Sequence, residues 1–507
     1  MSIRTTILSA TLLLPTLLLA ADITVQPGES IGAALRKARE WRRTADPHCE
    51  GGINIILASG RHYMAEPLLI RPEDSGTALS PTTITGQAGA VVCGDPTQQH
   101  TQIYPTQGML RMTAFSPESR TITIPTPPKA VLRMKNLEMV VHQRWATAIL
   151  RVKEMRADGP TTVVTFREPE SRLEFEHPWP QPVIGGERGS SSFLLRTTEQ
   201  RMGIEQLIRV EGTESDPVHH VAISGLTFEN TCWNRPLTHG HVTLQGGFPI
   251  IEAYKLQQEG LPWAPALENQ AWIERPVAAV SVCWATHVDV SHCTFRSLGS
   301  TALDYHIGIS DCTISHNTFT DIGGTAILAG SFAESPREVH RPYSELPPLC
   351  RRLTISHNTI DNASCEDWGA VGIGCGYVRE VTISHNVVRH VNYSGICVGW
   401  GWTPLYTGMQ DNHITDNTVA DYARQLYDAG GIYTLSCQPG STITGNEISM
   451  PAEAPYATNR RAFHIYLDAE TDGYTIAANH DKGQPITPDK IGFNNPGKNL
   501  KIEDKSR

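Results

Sequence analysis

The sequence predicts an all-β chain wound into a right-handed parallel β-helix, a solenoid with an N-terminal capping helix and a small inserted β-rich domain. Three observations predict it. A strand motif returns along the chain, as "VDVSHCTFRSLG", "CTISHNTFTDIG", "LTISHNTIDNAS", "VTISHNVVRHV", "HITDNTVADYA" and "STITGNEISM". Its asparagines, Asn317, Asn358, Asn386, Asn417, Asn446 and Asn479, are spaced by 41, 28, 31, 29 and 33 residues. One strand motif per period of this length is a solenoid signature, with loops absorbing the variable remainder. A second strand follows each motif, as "TALDYH", "TAILAG", "AVGIGCG", "SGICVGW", "GGIYTLS" and "FHIYLD". Finally, a short amphipathic helix and a block of β-segments without the asparagine motif precede the main run.

Taken in order, residues 1–20 read as a signal peptide, with Arg4, the apolar run "ILSATLLLPTLLLA" and small residues before Asp22. The run is too short and too poorly flanked for a permanent span. A periplasmic or extracellular location is expected. Residues 21–109 form the cap and first coils. Ile31, Ala34, Leu35, Ala38 and Trp41 share one face of a helix, and a helix here covers the apolar cross-section that a solenoid exposes at its first coil. This opening resembles the N-terminal cap of the pectate-lyase-like β-helix superfamily, a resemblance of fold. Residues 110–205 form the inserted domain; within it "GGERGSSS" (185–192) reads as a loop, and His142 and Trp145 as packing residues. Residues 206–480 are the main β-helix and 481–507 a polar C-terminal tail.

Within the main helix, the asparagine column is structural: stacked side-chain amides tolerate the tight turn and hydrogen-bond along the stack. The same reading holds for His292, His316, His357 and His385, each one position earlier. Leu303, Ile327, Ile396, Ile432 and Ile465 are the expected inward positions of the second strand. The segments 328–352 and 400–412 leave the sheet after this strand and wall a groove.

The chain has 507 residues, 40% hydrophobic and 19% charged, and a formal net charge of −10. That balance describes a folded chain and disfavours nucleic-acid and anionic-membrane partners. Eleven cysteines, an odd number with no CxxC, read as small core residues rather than as a zinc or redox site. No metal or cofactor is expected, and nothing in the chain indicates a protein partner, so a monomer is expected.

A long groove suits a polymer, and splitting a glycosidic bond takes two carboxyl groups, one acting as acid and one as base or nucleophile. Candidates gather in "CEDWGAVGIGCGY", "YSGICVGWGWT", "DAGGIYTLS" and "HIYLD". Asp428 lies four residues before the inward Ile432 and Asp468 three after Ile465; Asn392 and Arg461 hold positions equivalent to Asp428. Asp304 and His306 share the far side of the strand with Asp468. His464, next to an inward residue, is expected to face outward.

These motifs resemble the run found in glycoside hydrolase family 141, whose activities include α-L-fucosidase and xylanase. The resemblance spans about residues 206–480, and more faintly the inserted domain and cap. It implies that Asp428 and Asp468 form the catalytic pair, with Glu366 a further acidic residue of the site. Trp400 and Trp402 match as well, and aromatic faces suit the C–H surfaces of sugars. Asp367, Trp368, Tyr433, His464 and His306 complete the expected substrate contacts. The expected function is hydrolysis of plant or algal polysaccharide, with an oligo- or polysaccharide as partner. A polysaccharide lyase or C5-epimerase would need basic residues or Ca²⁺ against a uronate, and Arg461 is the main candidate cation. A non-catalytic adhesin solenoid is the third reading.

Overall fold

The computed structural model describes residues 20–94, 100–176, 180, 182, 184, 191–198, 202–253, 271–334, 337–338, 348–449 and 461–503. The leader and most of the 185–192 segment lie outside them. Three parallel sheets run the length of the molecule, so each coil contributes one strand to each sheet. The third sheet carries the function-bearing motifs. Its inward column runs from Leu68 through Ile208, Val280, Leu303, Ile327, Ile373, Ile396, Ile432 and Ile465 to Ile491 in unbroken register. The β-branched side chains suit this pleated, fully buried stack, and each contributes roughly 1.5–3 kcal/mol by burial. A stack of Phe228, Phe295 and Phe319 fills the same core from the second sheet, with centroids 4.9 and 4.8 Å apart.

The cap forms as expected. The helix Ile31–Arg43 starts at Ser30, whose side chain accepts from the Ala33 amide, and buries Ile31, Ala34, Leu35 and Ala38. A bidentate bond from Arg39 to buried Asp74 (2.9 and 2.7 Å) fixes it to the first coils.

The asparagine column is a ladder. The side-chain oxygen of Asn417 accepts from the backbone (3.0 Å) and side-chain (2.9 Å) nitrogens of Asn386, whose amide also donates to the Ile355 carbonyl. The tight turn, however, is taken by the residue before: His292, His316, His357 and His385 have φ of 54–57°. Their rings stack at 4.9, 4.8 and 4.9 Å. An amide can bridge two coils only from inside the helix, so the left-handed step falls on the outward neighbour.

Three boundaries differ from expectation. The inserted domain, an eight-stranded antiparallel sheet, begins with the strand His100–Tyr104, which pairs with Ser192–Thr198. It therefore occupies the turn between Ala90–Cys93 of the second sheet and Ile208–Glu211 of the third. The tail is not loose: Ile491–Phe493 and Lys501–Glu503 continue the third and first sheets. A further excursion, from Cys232 to Val277, pairs Ile250–Ala253 and Ala271–Ile273 with the hairpin Ala333–Glu334 and Arg337–Glu338 from the expected 328–352 wall. Phe248, Phe332 and Trp400 from these walls share one apolar cluster with Leu150 and Phe193 of the inserted domain. The inserted domain is thus fused to the groove. Seven of the eleven cysteines are buried, and Cys293, Cys312, Cys350 and Cys375 lie in the coil interior.

Candidate active site

Asp428 and Asp468 flank consecutive third-sheet strands, Ala429–Thr434 and Ala462–Leu467. In straight strands the seven steps along the chain between their levels would cover about 23 Å. The chain bends instead. Pairing skips the Gly431–His464 step, and a Cβ on Gly430 would lie 2.6 Å from the Ile432 carbonyl oxygen and 3.0 Å from Cβ of Tyr466. Only glycine permits that approach. Asp428 itself has φ 65°, a left-handed conformation that costs a non-glycine residue on the order of 1–3 kcal/mol.

Two tyrosines then cross-link the carboxyls. Tyr433 and Tyr466 are register partners with rings 5.4 Å apart, edge to face. Tyr466 reaches back one coil and donates to Oδ1 of Asp428 at 3.0 Å. Tyr433 reaches forward one coil and donates to Oδ2 of Asp468. Each strand therefore supplies one carboxyl and the hydroxyl that holds the other.

The two carboxyls differ electrostatically. Burial and the nearby charge of Asp468 push Asp428 up to about 6, against the pull of Tyr466, Arg461 and Arg144. Burial also raises Asp468, which is 5% exposed. It is opposed by three donors: Tyr433, Asn494 Nδ2 at 2.6 Å and the Ala469 amide at 2.8 Å. Burial thus raises both carboxyls, and three donors on the oxygens of Asp468 favour its anion against that burial.

The inserted domain closes one side. His142 is bonded through Nε2 to the Gln425 carbonyl (2.7 Å) and stacks on Tyr427. The Arg144 carbonyl accepts from the Tyr427 amide at 3.2 Å, and Nε of Arg144 is buried with no hydrogen-bond partner. Tyr393 donates to the Asp428 carbonyl at 3.1 Å. Arg461 lies 3.8 Å from Asp428 Oδ1, as the column expectation implied. Asn392 instead bonds Ser364.

The remaining expected residues are dispersed. Glu366 meets Arg196 of the inserted domain at 3.1 Å, and the same guanidinium bonds Glu138 at 3.0 Å. Asp367 is buried, bonded to His241 Nε2 at 2.9 Å and to the Gly369 amide. It lines a cavity of about 580 Å³. Trp368 packs against the coil core. Trp400 is 4% exposed and packs on Phe248, Phe332 and Trp402, so it is a wall rather than an open platform. With Tyr393, Tyr433 and Gln245 it lines a small apolar cleft.

Two expected contacts are corrected. His464 is fully buried and faces Asp481 (3.0 Å), which Lys490 also holds; its position, one before the inward residue, is also buried at Ala279, Ala302 and Ala326 of earlier coils. His306 shares a column with Asp468 but stands five coils away, which at the spacing of neighbouring strands is about 24 Å. Burial and Arg275 push it down to about 4.

Tyr466, Tyr393, Arg144, Asn494 and His241 were not among the expected residues. The first had a signal: "GIYT" and "HIYL" both place tyrosine directly after the inward isoleucine. Arg144 had none, because its domain meets the coil of Asp428 across 283 residues at His142.

A family model described as the GH141 insertion domain matches residues 94–204. Among solved structures, one described as a glycoside hydrolase is 30% identical, with 96% of each chain covered and a TM-score of 0.88. XylC in complex with xylose is 10% identical, with 85% of this chain and 65% of that chain covered and a TM-score of 0.39. A hyperthermoactive exopolygalacturonase from Thermotoga maritima is 9% identical, with coverages of 90% and 82% and a TM-score of 0.36. No curated protein matches.

Proposed function

The chain belongs to glycoside hydrolase family 141 and cleaves glycosidic bonds, and from that premise we propose that Asp428 is its general acid and Asp468 its base or nucleophile. The observation that carries this reading is the unequal treatment of two carboxyls bridged by reciprocal tyrosines. Asp428, raised to about 6, holds a proton to give to the leaving-group oxygen. Asp468, whose anion the three donors on its oxygens favour, activates water or attacks the anomeric carbon. Tyr466 and Tyr433 orient the carboxyls, and Arg461 and Arg144 limit how far Asp428 rises. Glu366 and Asp367 support the wall of the site.

The substrate class is plant or algal polysaccharide, with α-L-fucosidase-like or xylanase-like action, supported by the family resemblance of the motifs. The apolar N-terminal run supports work in the periplasm or outside the cell. The test is turnover of a panel of aryl glycosides and plant polysaccharides by wild type, Asp428→Asn and Asp468→Asn. Hydrolysis lost by at least a thousandfold in both variants, with melting unchanged, supports the pair. Turnover preserved in Asp428→Asn refutes it, and unsaturated uronate products would instead assign a lyase.

A further inference from the structure

We infer that the cavity of about 580 Å³ beside Asp367 is a distal subsite that binds a neutral sugar unit of the same glycan whose bond is cleaved at Asp428 and Asp468. The inference rests on the catalytic reading above only for the direction in which the glycan runs.

Position comes first. Thr301, Thr325 and Ala370 line the cavity and lie just before the inward Leu303, Ile327 and Ile373. Asp428 lies just before Ile432, so cavity and acid sit at the same end of the same sheet. From the coil of Ile327 to that of Ile432 is three steps of strand pairing, about 14 Å. A short oligosaccharide spans that distance. Between them stands one backbone segment: Gly246 lines both the cavity and the cleft holding Tyr393 and Tyr433. Gly247 has φ 79°, and a Cβ there would lie 2.6 Å from Oδ2 of Asp367, so the partition is as thin as a chain can be.

Chemistry comes second. The cations in the wall are matched: His241 with Asp367 at 2.9 Å, Arg235 with Glu274 at 2.5 Å, and Arg275 with Asp304 at 2.6 Å, while Glu205 accepts from the Asn234 amide at 2.8 Å. Matched pairs present donors and acceptors without a surplus cation, which suits hydroxyls rather than a uronate. Nδ1 of His241 and Nε of Arg235 are buried in this wall with no hydrogen-bond partner. Buried polar atoms are ordinarily satisfied, so the polar side of this wall has hydrogen-bonding capacity that its own residues do not use. At the mouth, Met202 (66% exposed) and Ile251 (37%) offer apolar surface to sugar C–H faces.

The test is titration of wild type and Asp428→Asn with xylotetraose, 2′-fucosyllactose and trigalacturonate, followed by calorimetry, together with the rim variants Ile251→Trp and Met202→Trp in the Asp428→Asn background. At least one neutral sugar should bind, survive Asp428→Asn, and weaken at least tenfold in both rim variants; Met202 is exposed enough that its variant folds, which the melting midpoint checks. Binding unchanged by both rim variants, binding of trigalacturonate alone, or no binding by either neutral sugar overturns the inference. Failure of the catalytic reading is seen separately, as turnover retained by Asp428→Asn.

Discussion

Replacing Tyr466 by phenylalanine should carry the basic limb of the pH–rate profile to higher pH. Asp428 near 6 is about half protonated at pH 6 and roughly a tenth protonated at pH 7, so activity that needs its proton declines through this range. The Tyr466 hydroxyl donates to Oδ1 at 3.0 Å and favours the anion. A hydrogen bond to a charged group is worth about 1.5–3 kcal/mol, and 1.36 kcal/mol corresponds to one pH unit. The side chain of Asp428 is 14% exposed, so water replaces part of the lost bond, and the limb should rise by about one unit. Arg461→Gln removes a cation that also favours the anion and should move the limb the same way, by less, because Arg461 is half exposed. The assay is kcat/KM for the best aryl glycoside across the pH range where the fold persists. A limb that stays put or moves down in Tyr466→Phe would show that the titrating acid is not Asp428.

Other outcomes follow from the same contacts. Glu366→Gln should cost less than tenfold in kcat/KM on an aryl glycoside, against a thousandfold for Asp428→Asn; equal losses would move Glu366 into the reacting pair. Asn386→Ala strips partners from the buried amide of Asn358 and from the Ile355 carbonyl, at about 1–3 kcal/mol each, and should lower the denaturant midpoint with the slope unchanged. His142 is held down to about 4 by burial, from 6.5. The unfolded chain therefore takes up this proton first, and stability should fall as pH drops from 6.5 towards 4, by at most about 3 kcal/mol. A weaker acid dependence in His142→Gln checks that.

The solenoid was legible because its signals are local and repeated. The inward column from Leu303 to Ile465 follows from placing one isoleucine or leucine per coil. Asp428 and Asp468 stood out from their motifs, but their geometry did not: a regular register sets them seven steps apart, and the chain brings them into electrostatic reach. His464 was misdirected by strict alternation, because the position before the inward residue is itself buried in other coils, as at Ala279, Ala302 and Ala326. His306 failed for a different reason. Sharing a column says nothing about how many coils lie between. The excursion from Cys232 to Val277 was missed because nothing in it repeats, and it is non-repeating chain that supplies His241, Gln245 and the partition at Gly246.

The inserted domain also sets an order in time. Leu68–Ile70 of the first coil finds its third-sheet neighbour only at Ile208–Val210. A chain emerging N-terminus first must therefore hold that edge open while the intervening residues arrive. At about 5–20 residues per second, the wait is on the order of ten seconds. The strands of the antiparallel sheet pair with one another, and a single bridge, Ile149 to His241, waits for later chain. The body of the domain should thus be in place before the solenoid can grow past its second coil, and the coil of Asp428, arriving near the end, closes against a surface already built.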